Sequence, residues 1–249
     1  MSCEKRIAVV TGGSAGIGLS ICEHLLKAGL RVLNLSRRSG PLSHPDLIHI
    51  KADLTDAAVL PDVVRQVAAH KPTTLVHNAG IAGAAMLEDV DPADLRRLTQ
   101  IHLIVPIMLA QACLPAMREA RFGRIVLISS RAIIGLAGHG NYSATKAALS
   151  GLTNTWALEL GPSGITVNLI APGPIKSDMF RAGVPEGSER EAGLIASLPV
   201  RRLGEPDDVA RAVMYFADPA NGYVTGQTLF VCGGASVGGL TTVVARKKS

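Results

Sequence analysis

Aromatic residues are scarce in this chain of 249, at 3% with a single tryptophan. The 47% that is apolar is therefore mostly Ala, Val, Ile and Leu. That mix suits a buried parallel sheet covered by Ala- and Leu-rich helices. Cysteine is sparse too. Cys3, Cys22, Cys113 and Cys232 stand far apart with no CxxC pair, so neither a zinc site nor a disulfide framework is expected. Reduced thiols, and a start without a basic stretch leading into an apolar one, point to the cytoplasm. Dense apolar runs of membrane-spanning length are missing. Residues 98–117 hold Thr, Gln, His and two Pro, and 219–245 are rich in Gly, Thr and Asn. The first reads as a buried or subunit-facing helix, the second as sheet plus loop, and no membrane partner is expected. A basic stripe is missing as well. The net charge of +5 comes from scattered clusters at Arg37–Arg38, Arg96–Arg97, Arg201–Arg202 and Arg246–Lys248. Nucleic acid is thus not an expected partner. Ordinary surface charge, with some attraction for phosphate-bearing ligands, is.

What is present alternates. Apolar strand patterns at 6–11, 31–36, 47–51, 74–78, 124–129, 165–170 and 228–231 are separated by helical patterns at roughly 16–28, 56–70, 91–118, 142–160 and 206–217. This predicts an α/β chain: one Rossmann-type domain over 1–249, with a doubly wound, seven-stranded parallel sheet and helices on both faces. Residues 174–200 show no strand pattern and follow a strand's carboxyl end, where such sheets bind ligands, so they are expected to form a substrate lid. Residues 235–249 read as a C-terminal tail.

"TGGSAGIG" (11–18) leaves the first strand pattern and enters the first helix pattern. A turn of that kind offers free backbone N–H groups and a positive dipole end, a site for a pyrophosphate. Gly12 permits the turn, Gly16 lets the backbone approach the phosphates, and Gly18 lets the helix sit close to the sheet. "YSATK" puts Tyr142 and Lys146 four residues apart, on one helical face. A nearby ammonium is expected to lower the Tyr pKa, so that the phenol can exchange a proton with a carbonyl or alcohol.

Further motifs follow in order: "HNAG" (77–80), "LISS" (127–130), "APGPI" (171–175), "PVRRLGEPDDVA" (199–210) and "VTGQTLFVCGG" (224–234). Together with the glycine turn and the Tyr–Lys pair, they resemble the short-chain dehydrogenase/reductase family, in its 3-oxoacyl-carrier-protein reductase-like branch, over nearly the whole chain. The resemblance implies Tyr142 as general acid or base, Lys146 holding the nicotinamide ribose and depressing the Tyr pKa, and Ser130 hydrogen-bonding the substrate oxygen. Ser129 is the neighbouring alternative, and only one of the two can face Tyr142. Cofactor contacts carry over to Gly12, Ser14, Gly16, Ile17, Gly18, Ser36, Arg37, Asp53, Leu54, Asn78, Ala79, Gly80, Tyr142, Lys146, Pro172, Gly173, Ile175 and Ser177. Ile175 would meet the carboxamide through its backbone. Three bland readings stand beside these: Asp53 as a helix-start acid, Asn78 as a turn-stabilising side chain, and Asn168 as a tie between strands.

At the end of the second strand pattern stands "NLSRR". Ser36 replaces the acid that binds a ribose 2′-hydroxyl in NAD-specific turns, and Arg37 can bind a 2′-phosphate. NADP(H) is therefore the expected cofactor, with NAD(H) less favoured. Two positions depart from the family. His102 stands where many members carry an Asn that helps a proton relay, and is kept as a catalytic candidate. Cys232 stands where many have Asp, and a small buried residue is the default reading. The resemblance also implies a homotetramer, with helices 91–118 and 142–160 at one interface. The expected function is hydride transfer between NADP(H) and a small-molecule carbonyl or secondary alcohol. The alternatives are a 3-oxoacyl-thioester reductase, a sugar, cyclic-diol or steroid dehydrogenase, and a catalytically silent NADP(H) sensor.

Overall fold

Side-chain alternation along the strands decides the layers. In β1 (Ile7–Thr11), Val9 faces one apolar cluster while Ala8 and Val10 face the other. The same two-residue period runs through β2 (Arg31–Ser36), β4 (Thr74–His77), β5 (Gly123–Ile128) and β6 (Ile165–Pro172). Both faces of these strands are buried, which requires helices on both sides. One layer is α2 (Leu60–Ala69), α4 (Val105–Glu119) and α5 (Gly140–Leu160), packing against Val9, Leu33, Leu75, Ile125 and Leu127. The other is α1 (Gly16–Lys27) and α8 (Pro206–Ala217), covering Ala8, Val10, Val76, Val126 and Ile128. This geometry is that of a computed structural model that describes residues 5–237. Cys3 and residues 238–249 of the expected tail lie outside the described residues.

All seven strands are parallel, in the order β3-β2-β1-β4-β5-β6-β7, with β3 at Leu47–Lys51 and β7 at Thr228–Val231. The order reverses between β1 and β4, and a crevice opens there at the strands' carboxyl ends. The expected fold class is thus found. Asn168 is a tie, as its bland reading had it: its amide donates to the Val224 carbonyl at 2.9 Å and accepts from the Gln227 amide at 3.1 Å.

Two elements differ from the sequence pattern. The single helix expected over 91–118 is α3 (Pro92–Thr99), a π turn over Gln100–Ile104, and α4. A π turn adds a residue to the helical repeat and re-aims the side chains on it. Here it turns His102 into the interior, fully buried. The run Pro92–Glu119 is long and apolar enough to cross a membrane, but Leu98, Val105, Leu109, Cys113 and Met117 are buried within the fold. The lid region is not one loop either. It contains α6 (Asp178–Arg181) and α7 (Glu189–Ser197), each opened by a serine cap, Ser177 and Ser188. The Gly and Pro between them masked the helical period.

Candidate active site

The glycine turn sits at the reversal point, held from three sides. Gly12 has φ +71°, the left-handed region that glycine tolerates. A Cβ on Gly18 would collide with the Gly12 carbonyl, so the first turn of α1 lies directly on the loop. The Asn78 amide donates to the carbonyls of Thr11 at 3.1 Å and Gly12 at 3.3 Å, which is its turn-stabilising reading. Thr11 Oγ1 accepts from the amides of Asn78 at 3.0 Å and Ala79 at 2.8 Å. Gly40 lies against Ser14, where a Cβ would come within 2.7 Å of the Ser14 carbonyl oxygen. Ile17 is half-buried against the α1 face of the core, and Gly16 faces Ser177. The sequence reading missed Thr11, Asn34 and Gly40. Asn34 is buried in β2 and accepts from the Gly13 amide at 3.0 Å. A polar residue inside an apolar strand pattern was the available signal for it.

At three of the expected contacts the side chain is already engaged by the fold. Leu54 is buried in the core, so its side chain does not reach a ligand. Ser36 is also buried, and its hydroxyl donates to the Arg38 carbonyl at 2.7 Å. It shapes the Arg37–Arg38 turn and has no proton left for a phosphate. Asp53 holds Thr55, accepting from its amide at 3.0 Å and its hydroxyl at 2.7 Å. These bonds, with help from Arg37 and Arg97, hold its carboxyl below the usual range. Arg37 and Arg38 are exposed and make no ion pair among the described residues.

On the other side, Pro172 ends β6 and Gly173 packs on Cys232, where a Cβ would approach the Cys232 backbone within 2.7 Å. Cys232 is a small buried residue, as its default reading had it. Ile175 pairs with Gly204 through the Lys176 amide and the Pro174 carbonyl. In that parallel bridge the Ile175 amide and carbonyl stay open, while its side chain is in the core.

The proton-bearing groups cluster where β5 meets α5. Ser129 Oγ donates to the Lys146 carbonyl at 2.8 Å, so that hydroxyl clamps the helix to the strand. Ser130 points the other way, and its Oγ accepts only from the Ala132 amide, at 3.1 Å. Its proton is free to be donated toward Tyr142 or a substrate oxygen. Lys146 is buried, and Nζ donates to the Ile128 carbonyl at 2.8 Å. Burial pulls its pKa down to about 7. Tyr142 is corrected in sign: its pKa is raised, because burial disfavours the phenolate and the Ser130 hydroxyl opposes that only in part. Lys146 is not among the groups that shift it. The His102 ring meets the Tyr142 ring edge-on at 5.6 Å, and its Nδ1 lies 2.9 Å from Thr145 Oγ1. Burial, then Lys146 and His77, hold His102 neutral, with its pKa down at about 2. Both glycine-lined edges and the free guanidinium groups suit a dinucleotide phosphate, and the open Ile175 backbone suits an amide.

A family model described as Enoyl-(Acyl carrier protein) reductase matches residues 12–236. The chain is 35% identical over 245 residues to the 3-oxoacyl-acyl-carrier-protein reductase FabG of Escherichia coli strain K12, covering 94% of this chain and 98% of that one. A solved structure described as a short chain dehydrogenase/reductase family protein superposes with a TM-score of 0.84 at 34% identity, covering 95% of this chain and 99% of the other. Another, described as an NAD(P)-dependent gluconate 5-dehydrogenase of Beutenbergia cavernae with NADP bound at low occupancy, also gives 0.84 at 34% identity, covering 94% and 97%.

Proposed function

The chain belongs to the short-chain dehydrogenase/reductase family, and on that premise we propose that it is an NADP(H)-dependent oxidoreductase that interconverts an apolar ketone and its secondary alcohol. One observation carries the reaction class: Ser130, Tyr142 and Lys146 meet at the carboxyl end of β5, beside a dinucleotide-shaped turn. The bound nicotinamide supplies or accepts the hydride. The chain's residues do the rest. Ser130 Oγ donates to the substrate oxygen and steadies charge developing there. Tyr142 delivers its phenolic proton to that oxygen in reduction and takes it back in oxidation. Its raised pKa keeps the proton on until a substrate needs it. As an ammonium, Lys146 Nζ has two protons beyond its bond to Ile128, at least one of them for a ribose hydroxyl. Arg37 and Arg38 hold a 2′-phosphate, the Gly12–Gly18 turn holds the pyrophosphate, and the Ile175 backbone holds the carboxamide.

The preference for an apolar substrate rests on what surrounds Tyr142. Ile134 and Leu136, between Ser130 and Tyr142, are exposed, as are Met86 and Leu87 on the loop that pairs with His139. The lid exposes Met179. Its three cations are engaged: Lys176 pairs with Glu205 at 2.6 Å, Arg181 with Glu191 at 2.7 Å, and Arg190 donates to the Gly183 carbonyl at 2.9 Å. A 3-oxoacyl thioester fits this rim better than a polyol. NADPH oxidation with acetoacetyl-CoA and with 5-ketogluconate tests it. We expect kcat/KM higher by about tenfold or more for the thioester, since each buried methylene adds about 0.8 kcal/mol. A preference for the sugar acid would overturn this choice while leaving the reaction class intact.

We also place the enzyme in the cytoplasm as a homotetramer. Cys22, Cys113 and Cys232 are free thiols. Ile104 beside α4 and Leu158 on α5 expose apolar side chains, and β7 leaves an open sheet edge with Leu229 exposed. Light scattering in solution decides the oligomeric state.

A further inference from the structure

Counting hydroxyl protons fixes the tautomer of His102. Thr145 Oγ1 lies 3.0 Å from the Asn141 carbonyl oxygen, 3.1 Å from that of Tyr142 and 2.9 Å from His102 Nδ1. Carbonyls only accept, so the single hydroxyl proton belongs to them; otherwise lone pairs would face lone pairs at these distances. Nδ1 must then be the donor. A neutral ring has one N–H, so Nε2 carries a lone pair. Nε2 is buried with no hydrogen-bond partner among the described residues. It lies 3.0 Å from the place a Cβ on Gly80 would take, and Lys146 Nζ lies 3.3 Å from the same point. An acceptor and an ammonium therefore flank one small gap.

We propose that Thr145 is a positioning residue: it locks His102 as the Nδ1–H tautomer and so presents the Nε2 lone pair to Lys146 Nζ beside Gly80. The lone pair gives the ammonium a fixed acceptor, reached directly or through one water. It thereby aims the one remaining Nζ proton at the nucleotide and Tyr142 side of the site. The other tautomer would aim an N–H at the ammonium. His77 provides a control of opposite sign. Thr11 Oγ1 already accepts from two amides, so its proton goes to His77 Nδ1 at 3.1 Å, and His77 is the Nε2–H tautomer. The consequence for turnover rests on the function proposed above, whereas the tautomer does not.

Solid-state nitrogen NMR of the full-length protein labelled with nitrogen-15 histidine reads both rings, with and without NADPH. Loss of a signal in His102→Asn assigns it. We expect Nδ1–H at His102 and Nε2–H at His77. Thr145→Val should shift His102 toward Nε2–H and lower kcat about tenfold, with KM for NADPH within about twofold, and Thr145→Ser should restore both ring and rate. An Nε2–H signal in the unaltered protein overturns the tautomer without touching the reaction class. A ring that changes tautomer in Thr145→Val while kcat stays put overturns the positioning role.

Discussion

Ser177 and Gly16, 161 positions apart, are packed so closely that a Cβ on Gly16 would stand 3.3 Å from the Ser177 Cβ. Ser177, near the start of the 174–200 segment, thus rests on the glycine turn.

The lid is held in shape by Glu191, whose carboxylate accepts from Arg181 at 2.7 Å and from the Gly187 amide at 2.6 Å. These bonds keep its carboxyl below the usual range. Glu191→Ala should loosen the lid over the substrate while leaving the glycine turn intact. We expect KM for the carbonyl substrate to rise about tenfold and KM for NADPH to change little. Steady-state kinetics with each substrate varied in turn checks the split.

Tyr142→Phe removes the phenol proposed to transfer a proton to the substrate oxygen and leaves that oxygen the Ser130 hydrogen bond. Turnover should fall by about 10²–10⁴-fold. NADPH binding, followed by the cofactor's fluorescence, should be nearly unchanged. A variant that binds and still turns over at the parent rate would assign the proton to another donor, and binding without turnover on any substrate in the unaltered protein would favour the sensor reading.

Arg37→Ala tests the cofactor. A guanidinium–phosphate bond contributes about 1.5–3 kcal/mol, so KM for NADPH should rise roughly 10–100-fold and KM for NADH stay level. An unchanged ratio would assign the 2′-phosphate to another group.

Lys146 makes the stability of the cofactor-free protein depend on pH with a definite sign. Its pKa is about 7 in the fold, against the usual 10.5 of a lysine in water. Between those values the unfolded chain binds the extra proton, so stability rises with pH across that window. Below about pH 7 the buried ammonium is a standing cost. Urea denaturation at pH 7 and pH 9 should show the rise, and Lys146→Met should flatten it. His77 and His102 act lower down. Their pKa values of about 3 and about 2, against 6.5, make stability fall as pH drops below 6.5.

By itself the sequence determined the sheet, the strand positions, the glycine turn and the Tyr–Lys pair. Those depend on periods of two and 3.6 and on glycine spacing, which are local. Residues 74–77 or 228–231 needed no knowledge of the rest of the chain. Whether a named side chain faces a ligand was not local. The Leu54 side chain lies in the core, and the Ser36 hydroxyl is turned to the Arg38 carbonyl. Thr145 and Gly40 gave no local signal, since their roles come from His102 and Ser14, 43 and 26 residues away. The sign of the Tyr142 shift also waited on the fold, because burial, which no spacing reports, outweighs a neighbouring charge once both groups leave water.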